Sequence, residues 1–168
     1  LDASTLGKID VAGIDAATFL DRVYTNAWGK LPIGQCRYGI MCGEDGMVMD
    51  DGVTARIGEH RYLMTTTTGN ATKVMDHLED LLQTEWPDLR VRLTSVTEHW
   101  AVTTVTGPQA RKVLEKVIDG TDLSKEAFPA LAFRTATIGD VQVRIFRVSF
   151  TGELSYEVHA PAQHALSV

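Results

Sequence analysis

Two adjacent carboxylates, Asp50 and Asp51, sit in the stretch Tyr38-Gly39-Ile40-Met41-Cys42-Gly43-Glu44-Asp45-Gly46-Met47-Val48-Met49-Asp50-Asp51-Gly52. It reads as two apolar strands joined by an acidic Asp-Gly turn, the second strand ending at the carboxylate pair. Side chains alternate across a strand, so the two carboxylates must point to opposite faces. If one face is packed, one of them lies in or beside an apolar wall, where an unpaired charge is costly. A carboxylate near an amine or iminium nitrogen can stabilise developing positive charge or move a proton. Asp51 is the better candidate, because Gly52 lets backbone or ligand approach closely. A strand end built from turn-type residues accounts for the same letters.

Two further patterns carry polar groups toward a pocket. In Ser149-Phe150-Thr151-Gly152-Glu153-Leu154-Ser155-Tyr156-Glu157-Val158, a Thr-Gly-Glu turn precedes a strand in which Glu157 alternates with apolar Tyr156 and Val158. Such a carboxylate can accept two parallel hydrogen bonds from an amidine-like ring edge; an exposed strand residue fits the pattern equally. In Thr65-Thr66-Thr67-Thr68-Gly69-Asn70, the threonines suit a strand and Asn70 is placed to cap the next helix. Thr67 or the helix-start amides would then be the donors to a ligand.

The elements that must hold these groups come from an internal repeat. Ile9 to Val23 matches Thr103 to Val117, pairing Gly13 with Gly107, Ala16 with Ala110, Leu20 with Leu114 and Val23 with Val117. Each copy reads as a strand, a glycine and a short amphipathic helix, with Pro108 suited to the opening of the second helix. After the first copy come the hairpin, a strand over 61–67, a helix over about 70–84 with Val74, His77, Leu78, Leu81 and Leu82 on one face, and a strand over 91–96. After the second come strands over 133–138, 141–149 and 155–160, and a helix start near Ala162. The expected fold class is therefore α+β, with two related ferredoxin-like sheet-and-helix halves at 1–98 and 99–168. A purely parallel sheet is disfavoured, since it needs a helix between nearly every strand pair. By comparison with the first half, the second is expected to be truncated, and the chain a fragment of a longer polypeptide.

Composition narrows the classes. The 168 residues are 44% hydrophobic and 23% charged, an ordinary globular balance, and no apolar run approaches the roughly 20 residues that cross a bilayer. A net charge of −6 with scattered Lys and Arg offers no basic stripe, so no nucleic-acid partner is expected. Cys36 and Cys42 match neither a redox nor a zinc pair, and the five histidines do not cluster, so no metal site is expected. Reduced thiols and the absence of a leader suggest a cytoplasmic setting. Trp28, Trp86 and Trp100 read as core or interface anchors. No GxGxxG, GxxxxGK[ST] or GxSxG pattern occurs.

The hairpin with its Asp-Asp pair, the strand ending at Gly69-Asn70, Val105-Thr106-Gly107-Pro108, and Phe150-Thr151-Gly152-Glu153 followed by Tyr156-Glu157 resemble, in order, the aminomethyltransferase (glycine-cleavage T-protein) superfamily. Within it, Leu1 to Lys8, Arg22 to Asn26, Cys36 to Gly39 and Met64 to Asn70 look most like the alpha subunits of heterotetrameric sarcosine oxidases. The resemblance implies a tetrahydrofolate-binding region that accepts the one-carbon unit from oxidative demethylation of sarcosine, giving 5,10-methylenetetrahydrofolate. It implies Asp51 beside the folate nitrogens as the catalytic group, Glu157 on the pterin edge, and Tyr38, Thr67 and Phe150 lining the folate site. Thr67 stands where an asparagine is common, and Phe150 where a tyrosine is common. FAD, FMN and NAD are expected elsewhere in the parent complex, and the partners are the other oxidase subunits and a C-terminal barrel. A dimethylglycine oxidase-type enzyme, a stand-alone aminomethyltransferase and a non-catalytic assembly domain of the same fold are the competing readings.

Overall fold

The computed structural model describes residues 1–168 and divides into two compact units, Thr5–Thr97 and a second made of Leu1–Ser4 with Glu98–Val168. Both are antiparallel sheets carrying few helices, a mixed α+β architecture.

In the first unit the order along the chain is β1 (Gly7–Ala12), α1 (Ala16–Val23), β2 (Cys36–Cys42), β3 (Val48–Gly58), β4 (Arg61–Thr66), α2 (Ala71–Thr84) and β5 (Arg92–Ser95). The sheet order is β2-β3-β4-β1-β5. Helix α1 buries Ala16, Phe19, Leu20 and Val23, the i, i+3, i+4, i+7 stripe of an amphipathic helix. Helix α2 buries Val74 and Leu78 and rests Leu81 and Leu82 against the same core. These stripes meet Ile9, Val11, Met41, Tyr62 and Met64 from one face of the sheet, closed by fully buried Trp28 and by Trp86 packed edge-on to Phe19.

The second unit comprises β6 (Trp100–Thr106), α3 (Ala110–Leu114), β7 (Phe133–Ile138), β8 (Val141–Phe146) and β9 (Ser155–Pro161), in the sheet order β6-β9-β8-β7. That is the order β1-β4-β3-β2 of the first unit, strand for strand. The outer side of β6 is covered by Leu1–Ala3, through bonds from Ala3 N to Val102 O and from Thr104 N to Leu1 O, both 2.8 Å. Its core gathers Ala110, Leu114, Phe128, Val143, Ile145, Tyr156 and Val158.

The repeated glycine turns are superimposable in their bonding. Gly13 and Gly107 both take positive φ, 146° and 121°, and Ala16 N and Ala110 N donate back to their carbonyls at 3.0 Å. The repeat departs from expectation one turn later. Val23 is buried, but Val117 is 47% exposed. In the second copy the chain tightens after α3 into i→i+3 bonds, Lys116 N to Val113 O and Val117 N to Leu114 O. Ile118, which keeps an α-type bond from its N to Leu114 O at 2.9 Å, enters the core in place of Val117.

Three boundaries also differ from the sequence reading. Strand β3 does not end at Asp50-Asp51 but continues to Gly58, because Gly52 passes the backbone of β4 without a side chain: a Cβ there would lie 2.0 Å from Thr65 O. Strand β8 stops at Phe146 rather than Ser149. The segment from Ala162 is a single 3-10 turn to His164. No helix is long and apolar enough to cross a membrane.

The two turn glycines differ in surroundings, which separates strain from collision. A Cβ on Gly107 would meet nothing within 4 Å, whereas one on Gly13 would sit 2.0 Å from Arg90 O. Gly107→Ala is expected to lower stability by about 1–2 kcal/mol through left-handed strain alone. Gly13→Ala must also displace backbone and is expected to lose more than about 3 kcal/mol. Chemical denaturation of the two variants checks the order.

Candidate functional site

Strand β3 separates its two carboxylates by alternation. Asp50 lies opposite Met41 on the helix-covered face and is 5% exposed; Asp51 lies opposite Ile40 on the other face and is half-buried. The buried carboxylate is the more heavily bonded. Its Oδ2 accepts from Thr67 N at 3.2 Å, and its Oδ1 accepts from the Thr67 hydroxyl at 2.6 Å and from Asn70 Nδ2 at 3.1 Å. Charge-assisted bonds of this kind offset the loss of hydration on burial.

Asp51 is held from the adjacent strand. Tyr38, paired with Val53 and hence diagonal to Asp51 on the same face, donates its hydroxyl to Asp51 Oδ2 at 2.8 Å. The other carboxylate oxygen makes no hydrogen bond within the chain and remains an acceptor beside an exposed aromatic ring. The phenol of Tyr38 is raised above its ordinary value of 10.0, first by that hydrogen bond, then by desolvation and by the charge of Asp51. On the opposite face, Tyr24 is pushed up chiefly by burial and further by the charges of Asp50 and Asp51.

Thr67 is brought to this region, but to the buried partner. Its hydroxyl is spent on Asp50, so it offers a ligand lone pairs rather than a proton. Asn70 does not cap α2 with its side chain; the amide instead donates to Met49 O and to Asp50. No local signal reveals this, since the partners are 20 and 21 residues upstream, and an Asn after Gly at a helix start reads first as a cap.

Glu157 lies on β9 in the second unit, between Thr104 of β6 and Phe146 of β8. Tyr156 and Val158 face the core on one side, leaving Glu157 on the other, as alternation requires. Its Oε2 is 3.3 Å from Nε2 of buried His159, two residues along on the same face. The His159 ring packs on Phe146 at 4.4 Å, and Phe146 on Phe133 at 5.0 Å, so the carboxylate borders an aromatic strip. His159 was missed by sequence reasoning, although its i+2 spacing from Glu157 marks a shared face. Phe150 is fully exposed in the connection from β8 to β9 and lines nothing within its unit.

No group of three or more His, Cys, Asp or Glu residues could hold a metal, and neither cysteine is in a disulfide. Trp100 stacks on Arg144 at 4.2 Å.

The bond between Tyr38 and Asp51 carries a pH signature. A phenol raised by a carboxylate acceptor keeps its bond through neutral pH and loses it as pH climbs through the raised value. Asp51→Asn removes the charge, so the Tyr38 transition is expected to fall back toward the ordinary phenol range. Near-UV phenolate absorbance, taken as a difference against Tyr38→Phe, checks the direction.

Comparison with known proteins matches this frame over its whole length. The chain is 53% identical to the sarcosine oxidase alpha subunit of Corynebacterium sp. (strain P-1), covering 100% of this chain and 18% of that protein. It is 50% identical to the corresponding subunit of Rhizobium meliloti (strain 1021), covering 99% and 17%. The aminomethyltransferase of Thermus thermophilus is 32% identical, with 98% of this chain and 45% of that one covered. The chain thus spans less than a fifth of the oxidase subunits and under half of the transferase. Among solved structures, the glycine cleavage system aminomethyltransferase T of Bartonella henselae superposes with a TM-score of 0.83 at 24% identity, over 99% of this chain and 42% of that one. A chain of the heterotetrameric sarcosine oxidase of Corynebacterium sp. U-96 gives 0.71 at 17% identity, over 98% and 76%. The GCVT N-terminal domain model matches residues 1–168, and the chain belongs to that family.

Proposed function

We propose that this chain is the tetrahydrofolate-binding part of a sarcosine oxidase alpha subunit, where the one-carbon unit from oxidised sarcosine is captured as 5,10-methylenetetrahydrofolate. The observation that carries this is the identity of 53% and 50% to two such subunits across essentially the whole chain, against 32% to the transferase. Each half is read as ferredoxin-like, on the strand order β3-β4-β1-β5 in the first and on its partial counterpart β8-β9-β6, which lacks an equivalent of β5, in the second. The remaining subunits, a C-terminal barrel and the FAD, FMN and NAD sites are assigned to the rest of the parent complex.

The residues present suit folate as the acceptor substrate. Pterin offers a planar edge of N–H donors, and Glu157 has a carboxylate oxygen not taken by His159 for such an edge, beside aromatic rings. Asp51 supplies an open carboxylate oxygen whose partner oxygen is fixed by Tyr38. Capture forms two C–N bonds between the folate nitrogens and the methylene carbon of the sarcosine-derived imine, and breaks that carbon's bond to the imine nitrogen. Two protons leave the folate nitrogens and end on glycine nitrogen, so no further oxidant is needed. Asp51 accepts a proton from folate nitrogen and passes it on, and its charge favours the cationic stages. Tyr38 keeps the accepting oxygen oriented.

Two variants of the intact oxidase test these roles. Asp51→Asn is expected to cut tetrahydrofolate-dependent methylene capture by about a hundredfold or more, while oxygen uptake with sarcosine continues and formaldehyde is released instead. Capture at the wild-type rate removes the assignment. Glu157→Gln is expected to weaken folate binding by roughly ten- to a hundredfold, the loss of a charge-assisted pair, as read by titration with a folate analogue.

A further inference from the structure

We infer that Asp50, Thr67 and Asn70 form a clamp that positions Asp51 against Tyr38 from the opposite face of strand β3. The backbone ladder leaves this place unsupported on one side. Pairing between β3 and β4 runs from Gly58 opposite Arg61 to Thr54 opposite Met64, with an irregularity between Arg56 and Gly58, and goes no further toward Asp51. On the other side, Asp51 is paired only with β2, the edge strand of the sheet, whose register slips between Met41 and Cys42 one residue beyond. An edge strand is paired on one side only, and a bulge locally disrupts the ladder.

Side chains replace the missing ladder. The Thr65 hydroxyl accepts from Val53 N and donates to Val53 O, both at 3.0 Å, taking the part of a backbone pair two residues after Asp51. Gly52 lets the strand come close enough for this. On the residue before Asp51, the Asp50 carboxylate accepts from Thr67 N, the Thr67 hydroxyl and Asn70 Nδ2, and Asn70 also donates to Met49 O at 3.1 Å. Asp51 is therefore flanked by Val53, tied to Thr65 of β4, and by Asp50, tied to the β4–α2 turn, and its side chain emerges in the one direction that alternation leaves. Thr67 and Asn70 are positioning residues: they act through Asp50 on the backbone of Asp51.

The consequence for capture rests on the proposed role of Asp51; the clamp itself does not. Fluorotyrosine placed at position 38 of the full-length protein reports the bond to Asp51 through its ionisation, followed by fluorine NMR against pH. Asn70→Ala and Thr67→Val leave every charge in place, so a shift in them reports position rather than lost charge. Both are expected to lower the Tyr38 midpoint by about half a pH unit or more. Thr67→Ser, which keeps the hydroxyl, is expected to leave it unmoved. An unchanged midpoint in Asn70→Ala and Thr67→Val proteins that still unfold cooperatively overturns the clamp. In the same two variants methylene capture is expected to slow about tenfold or more, with sarcosine oxidation unaltered. A shifted midpoint with capture at the wild-type rate supports the clamp and overturns the role given to Asp51.

Discussion

Two neighbouring residues of a strand cannot share a face, and the placement of Asp50 and Asp51 turns on that constraint. One carboxylate had to enter the helix-covered side of the sheet. There Asp50 is tolerable because three donors converge on it, and two of these come from Thr67 at the start of a turn that would otherwise carry unsatisfied groups. The arrangement solves two problems at once: a buried charge gains partners, and the N-terminal approach to α2 gains an acceptor. Asp51 is left on the other face with a single phenolic donor.

The face away from the helices holds charged groups that are paired within the chain. Lys8 is fully buried, with Nζ 2.8 Å from Leu6 O, and Asp10 takes both Nε and Nη2 of Arg61 at 2.7–3.0 Å. A bidentate pair of this geometry occupies both oxygens of the Asp10 carboxylate. Asp51 and Glu157 each have one carboxylate oxygen engaged and one without a hydrogen bond in the chain. Both side chains are only partly buried, so water can hydrate these oxygens until a ligand of the proposed kind replaces it.

How much of this was legible follows from the range of each interaction. Helix α2 was read to within a residue from its apolar spacing, and strands β7 and β9 from alternation, because both are periodic signals carried by neighbours. The separation of Asp50 from Asp51, and of Glu157 from Tyr156 and Val158, followed from the same two-residue period. The pairing of Val117 with Val23 was misjudged because α3 ends at Leu114, short of the full helix of the first copy, and Ile118 rather than Val117 enters the core. The bonds from Thr67 and Asn70 to Asp50 span 17 and 20 residues, and no window along the chain contains a cue for them.

The duplicated topology adds a last constraint on where chemistry can reside. In each unit one face of the sheet is committed to helix and loop packing; in the first it is largely apolar but also takes Asp50, Thr54, Thr66 and Arg56, whose guanidinium lies 5.6 Å from the centre of the Tyr62 ring. The opposite face mixes polar and aromatic groups, with Lys8 buried in the first unit and His159 and Phe146 in the second. In the first unit it carries Asp51 on β3, and in the second it carries Glu157 on β9, so the repeats share a frame but place their carboxylates on different strands. A duplication kept for packing alone would leave those faces interchangeable. Their divergence shows in the partners, a phenol bonded to Asp51 in the first unit and an imidazole contacting Glu157 in the second.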